Sequence, residues 1–189
     1  MRMMTRVGSA AAAIVLLAAG GGLLAQAGGE TFTATAAVKS PQASASAPVT
    51  IRVDRLISVA ERDTFLAVVK NNDQAATRQA LAAMPDVGYI ELGKKRTPVK
   101  YAFSRSTGAG RLITVVAAEP ILYLGGTAPD AKPKEGFNFA IAFLILDGSD
   151  RGDGELAPAT KVKMNDQGAI VTDEYGAEVI RLVSVARAK

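Results

Sequence analysis

The stretch Phe137-Asn138-Phe139-Ala140-Ile141-Ala142-Phe143-Leu144-Ile145-Leu146 decides the fold class. Phe137, Phe139, Ile141, Phe143 and Ile145 recur at every second position, while Asn138, Ala140 and Ala142 begin the alternate set. A period of two sends these sets to opposite faces of a β-strand. So apolar a run predicts a central strand, with its bulky face in the core and its shallow alanine face closely packed by another element.

Working outward, the chain keeps alternating between short apolar runs and turn residues. Downstream, Lys161–Met164 and Ala169–Thr172 read as strands around the turn Asn165-Asp166-Gln167-Gly168. Ala177–Val185 returns after a second turn at Asp173–Gly176. Upstream, Tyr89–Leu92, Val99–Ser104 and Arg111–Ala118 are strands separated by Gly93-Lys94-Lys95 and Ser106–Gly110. Ile121–Leu124 is a short fourth, followed by a surface loop over Thr127–Glu135 that carries Pro129 and Pro133. Short connections of this kind favour antiparallel pairing.

One segment changes period. Ser58 and Glu61 have capping-box spacing, in which each side chain satisfies a free backbone N–H of the first helical turn. Phe65, Leu66, Val68 and Val69 give that helix an apolar side, and Asn71-Asn72-Asp73 interrupts it. Asp73 then caps a second helix, with a small-residue stripe at Ala76, Ala80, Ala83 and Met84, stopped by Pro85. The pair reads as an antiparallel helical hairpin. It is a poor DNA reader, because Arg78 is the second helix's only cation. Before it, Thr31–Val38 and Val49–Ile57 alternate as strands, joined by a flexible loop over Lys39–Pro48.

The expected fold is therefore α+β: a mainly antiparallel β-sheet of about seven or eight strands, curled into a sandwich or partial barrel, with a helical hairpin inserted after the second strand. Residues 28–48 form a mature N-terminal strand and flexible loop, and residues 49–189 a single globular β-rich domain with helices near 59–84.

Residues 1–27 stand apart. Arg2 and Arg6 precede an apolar run from Val7 to Leu24, and Ala25-Gln26-Ala27 has the small-x-small pattern of a leader-peptidase site. Cleavage is expected before Gly28, giving a periplasmic or secreted protein. The alternative is an uncleaved N-terminal membrane anchor, since the run is just long enough to span a bilayer. The chain contains no Cys, so it carries neither a lipid-acylated cysteine nor a disulfide. Without Arg2 and Arg6, 20 Lys plus Arg face 18 Asp plus Glu, a net of +2. That near-balance gives no reason to expect a nucleic-acid partner.

The chain also contains no His, which excludes Ser-His-Asp triads, Cys-His dyads and His-ligated metal. Ser-x-x-Lys does not occur after residue 27 either. No catalytic residue and no cofactor is expected. The reading leans to a non-enzymatic binding or structural protein of the bacterial cell envelope, with an envelope or extracellular partner. The alternatives are a His-free, carboxylate-dependent hydrolase and a calcium-stabilised envelope domain.

Two charged segments are candidate ligand-binding loops. The first, with Asp147, Asp150, Asp153 and Glu155 on a Gly-rich backbone, offers oxygens of the kind calcium prefers, although Ser149, Arg151 and Pro158 spoil EF-hand spacing. The second, Lys94-Lys95-Arg96, could meet an anionic surface from a hairpin tip. Tyr89, Tyr101, Tyr123 and Tyr175 are candidates to line a cleft.

Overall fold

A computed structural model describes residues 29–39, 44–122, 134–172, 175 and 178–189. The expected leader, residues 40–43, residues 123–133 with Tyr123, and residues 173, 174, 176 and 177 lie outside the described residues. In chain order the elements are β1 (Glu30–Lys39), β2 (Ser44–Val53), α1 (Val59–Val69), α2 (Gln74–Ala83), β3 (Gly88–Leu92), β4 (Lys95–Thr107) and β5 (Gly110–Ala117). β6 (Phe139–Asp147), β7 (Arg151–Thr160), β8 (Lys163–Met164), β9 (Ile170–Val171) and β10 (Ile180–Arg187) complete the chain. Eight strands close into an antiparallel barrel in the order β1-β10-β7-β6-β5-β4-β3-β2, and β8 and β9 form a separate small hairpin. The α+β expectation is thus met, with the sheet fully closed and the helical hairpin between β2 and β3.

Arg111 identifies the inside of the barrel. From β5 it bonds Glu30 of β1 at 2.9 and 3.0 Å, and its guanidinium lies 5.7 Å from the Phe32 ring. β1 is four strands away from β5, so these groups meet across the lumen. The alternate β5 residues Ile113, Val115 and Ala117 therefore also point inward. Their register partners on β6, Leu144, Ala142 and Ala140, share that face.

This reverses the expected orientation of the opening stretch. The alanine face lies inside, and Phe139, Ile141, Phe143 and Ile145 lie on the outside. An eight-stranded barrel leaves an interior just wide enough to be filled by side chains. Phe32, Ile51, Ile90, Ile113, Leu144 and Leu156 fill it, each with essentially no exposed surface. Small residues on β6 and β7 make the large ones fit.

β7 was not expected as a strand. Its inward positions are Gly152, Gly154 and Leu156, and its outward ones Arg151, Asp153 and Glu155. The period of two is intact, with glycine occupying the apolar positions. A Cβ on Gly152 would lie 1.9 Å from the Ile145 carbonyl oxygen, and one on Gly154 would lie 2.4 Å from that of Phe143. Glycine is needed there for close backbone approach.

The expected loop at Lys39–Pro48 is also largely strand, because β2 begins at Ser44. Pro48 is tolerated where β2 has only β1 beside it, since β3 pairs no further than Val49. At the other end, β2 stops at Val53, short of Ile57.

The helices form as read. Ser58 Oγ accepts from the Glu61 backbone N–H at 3.2 Å, and the Glu61 carboxylate accepts from the Ser58 N–H at 2.7 Å. Asp73 accepts from the N–H groups of Ala75 and Ala76 at 2.9 and 3.0 Å. The hairpin packs on the outside of the barrel, where the Phe65 and Tyr101 rings meet at 5.5 Å. Gln74 fastens α2 to the chain before β8. Its amide donates to the Val162 carbonyl and accepts from the Val162 N–H, both at 3.0 Å. No helix among the described residues is long and apolar enough to cross a membrane.

Candidate functional site

The outer face of β4–β7 is the surface the helices and the β8–β9 hairpin rest on, and its register resolves into three rows. Tyr101, Val116, Ile141 and Ala157 lie side by side and are buried. Phe103, Thr114, Phe143 and Glu155 form the next row. Arg105, Leu112, Ile145 and Asp153 form the third, where Ile145 is 60% exposed. The covering elements seal the first row and stop short of the third.

Between them a cleft of about 320 Å³ remains over the second row. Phe103 and Phe143 contribute to its floor, and Leu112 and Thr114 lie between them on β5. Arg62 of α1 flanks it, its guanidinium 4.8 Å from the Phe103 ring centroid and hydrogen-bonded to Asp63 at 2.7 Å. Residues Asn165 and Gln167–Thr172 form the facing wall. That wall is well braced: the Asn165 carboxamide accepts from Gln167 N–H at 3.1 Å and Ala169 N–H at 2.9 Å. Tyr175 also lines the cleft, donating its hydroxyl to the Thr172 carbonyl at 3.0 Å. Burial pushes the Tyr101 phenol well above its usual range, with Arg62 opposing and Asp63 reinforcing the shift, so it stays neutral.

Arg105 and Glu155 line the cleft from opposite sides, β4 and β7. Neither forms an ion pair among the described residues. A half-apolar recess with a few placed polar groups is the usual form of a small-molecule site. The described side chains of the barrel interior, by contrast, are buried in one hydrophobic cluster.

The charged candidates from the sequence disperse. Asp147 and Asp150 sit in the tight β6–β7 turn, whereas Asp153 and Glu155 belong to strand β7. Asp147 accepts from the Ser149 hydroxyl and N–H at 2.8 Å and the Arg151 N–H at 3.1 Å. Those bonds, the Ser149 hydroxyl foremost, hold its carboxyl below the usual range. Asp150 faces Arg111 and Arg187 at the barrel mouth, and Asp153 accepts from the Ser184 N–H at 3.2 Å. Among the described residues, no three carboxylates gather closely enough to hold a metal ion.

Of Lys94, Lys95 and Arg96, the first is in the β3–β4 turn and the others begin β4. Arg96 pairs with Glu91 and lies 4.5 Å over the Tyr89 ring, and Tyr89 does not line the cleft that Tyr101 and Tyr175 line. Of the charged candidates, only Glu155 reaches the cleft.

Sequence reading missed two sites. One is the barrel-mouth network of Glu30, Arg111, Asp150 and Arg187, whose members are separated by up to 157 positions and share no local pattern. Burial alone would make Arg111 less basic, but the hydrogen bonds and charge of Glu30 and Asp150 outweigh it and raise its pKa. The other is the aromatic floor of the cleft. Its signal was present in the alternation Tyr101, Phe103, Arg105 and in the bulky face of β6, read as core.

Compared with known protein families, curated proteins and solved structures, the chain matches none.

Proposed function

We propose that this chain is a non-enzymatic binding protein of the bacterial cell envelope that holds a small ligand in the cleft between the outer face of β4–β7 and the β8–β9 hairpin. The observation that carries the reading is the cleft itself: about 320 Å³, floored by Phe103 and Phe143, on the outside of a barrel whose described interior side chains are buried. A rigid sheet supplies the floor and a braced turn the wall, so little ordering is required on binding. Envelope placement is supported by the n-region, apolar run and Ala25-Gln26-Ala27 of the leader. Among the described residues the carboxyls with displaced acidity, Glu61 and Asp147, are both held toward the charged form, opposite to what a general acid needs.

Native mass spectrometry of the protein recovered from the envelope fraction of an expressing bacterium tests this reading. Wild type is expected at the mass of residues 28–189 plus a defined adduct. Thr114→Arg, which fills the cleft from β5, is expected at the bare mass. A bare wild-type chain, or an adduct that survives the substitution, would contradict binding in the cleft, and an uncut mass would contradict processing before Gly28.

A further inference from the structure

Resting on that reading, we infer that the cleft takes a short apolar peptide with both termini free, its carboxylate toward Arg105 and its ammonium toward Glu155. The argument begins with charge. Arg62 already has Asp63 as its partner, so among the described residues Arg105 is the uncommitted cation at the β4 side, and Glu155 the uncommitted anion at the β7 side. A ligand with one charge would satisfy one side and leave the other opposed only by water. A zwitterion satisfies both.

Length comes next. β4 and β7 are three strand spacings apart around the sheet, about 14 Å between backbones. The Arg105 and Glu155 side chains both line the cleft from those strands. An extended peptide of three residues spans about 10 Å, so two to four residues fit between them, whereas a single amino acid falls short.

The space between the charges fixes the rest of the chemistry. Phe103, Leu112 and Phe143 present an apolar floor that suits aliphatic or aromatic side chains. Beyond it, exposed Ile145 extends the same outer face. The facing wall runs from Gln167 through Thr172 and includes β9, which pairs with β8 alone and so keeps one edge open to a peptide main chain.

Isothermal titration of the processed full chain with trileucine, its N-acetyl form and its C-terminal amide tests the inference. Exposed ion pairs of this kind contribute up to about fivefold each in affinity. Trileucine is expected to bind wild type, with acetylation and amidation each weakening it about fivefold. In Glu155→Gln acetylation should then have no further effect, and in Arg105→Gln amidation should have none. Both substitutions are at exposed positions and leave the fold intact. Failure of trileucine to bind, capped forms binding as well as the free peptide, or sensitivity to one cap alone would overturn the zwitterionic ligand. So would decanoate binding more tightly than trileucine in an Arg105-dependent manner. If Thr114→Arg still removes the native adduct while trileucine fails, the cleft stands and the ligand class falls; if neither responds, both fall.

Discussion

Single side chains set the stability of this barrel at two places the sequence does not advertise. Glu30 is 5% exposed and is held by both Arg111 and Arg187, so its loss leaves a partly buried guanidinium with only Asp150 for a partner. Removing one member of a buried pair is costly because the other's desolvation is no longer offset. Glu30→Gln is expected to lower unfolding free energy by about 2 kcal/mol in urea titrations. Thr77 presents the opposite case. It is fully buried on α2 and its hydroxyl has no hydrogen-bond partner. Thr77→Val keeps the shape and removes the unsatisfied group, and should raise stability by about 1 kcal/mol in the same assay. Neither residue is conspicuous in the chain: Glu30 falls just before the strand expected over Thr31–Val38, and Thr77 is one more position on an alanine-rich helix.

At the scale of elements, local chemistry was readable wherever a structure is held by neighbours in sequence. The capping box of α1 and the Asp73 cap of α2 depend on groups two or three residues apart, and both form. β7 shows where that legibility ended. Its Gly152 and Gly154 resemble loop residues, and only the closed barrel explains them, because inward β-carbons there would strike the backbone of β6. Gly152→Ala is accordingly expected to destabilise by about 2 kcal/mol or to prevent folding, read as a lowered Tm or lost soluble yield. The orientation of β6 failed for a related reason. Period reveals that a strand has two faces, but whether the bulky one lies inside depends on how much room the closed sheet leaves.

The α1 cap also gives a pH dependence with a definite sign. Arg55 first, then the Ser58 groups, hold the Glu61 carboxyl down at about 2 from an ordinary 4.5. A lowered folded-state pKa contributes stability that is present above about 4.5 and lost as pH falls toward 2. The Glu61 side chain is 39% exposed, so solvent screening limits the contribution to about 1 kcal/mol or less. Glu61→Gln keeps the capping geometry and removes the charge. Its stability deficit against wild type should appear in urea unfolding at pH 7 and close by about pH 2.

For the molecule as a whole, the class of fold was legible, and its closure and its site were not. Alternating runs and short turns establish an antiparallel sheet with inserted helices, but an eight-membered ring requires β7, which hides behind its glycines. The cleft requires more still: Arg62, Phe103, Phe143 and Glu155 come from four elements, brought together only when the helices and the β8–β9 hairpin settle on the outside of the ring. The barrel then serves as a solid core around which a second apolar layer and a recess are built. The proposed binding belongs to that outer layer.

Amide chemical-shift mapping of ¹⁵N-labelled protein, titrated with the small-molecule fraction of the envelope extract, tests this most directly. Shifts concentrated at Phe103, Thr114, Phe143, Ile170 and Val171, with Ile51, Ile90, Val115 and Leu182 of the interior unmoved, are the expected result. Shifts centred on those interior residues, or none at all, would contradict the account.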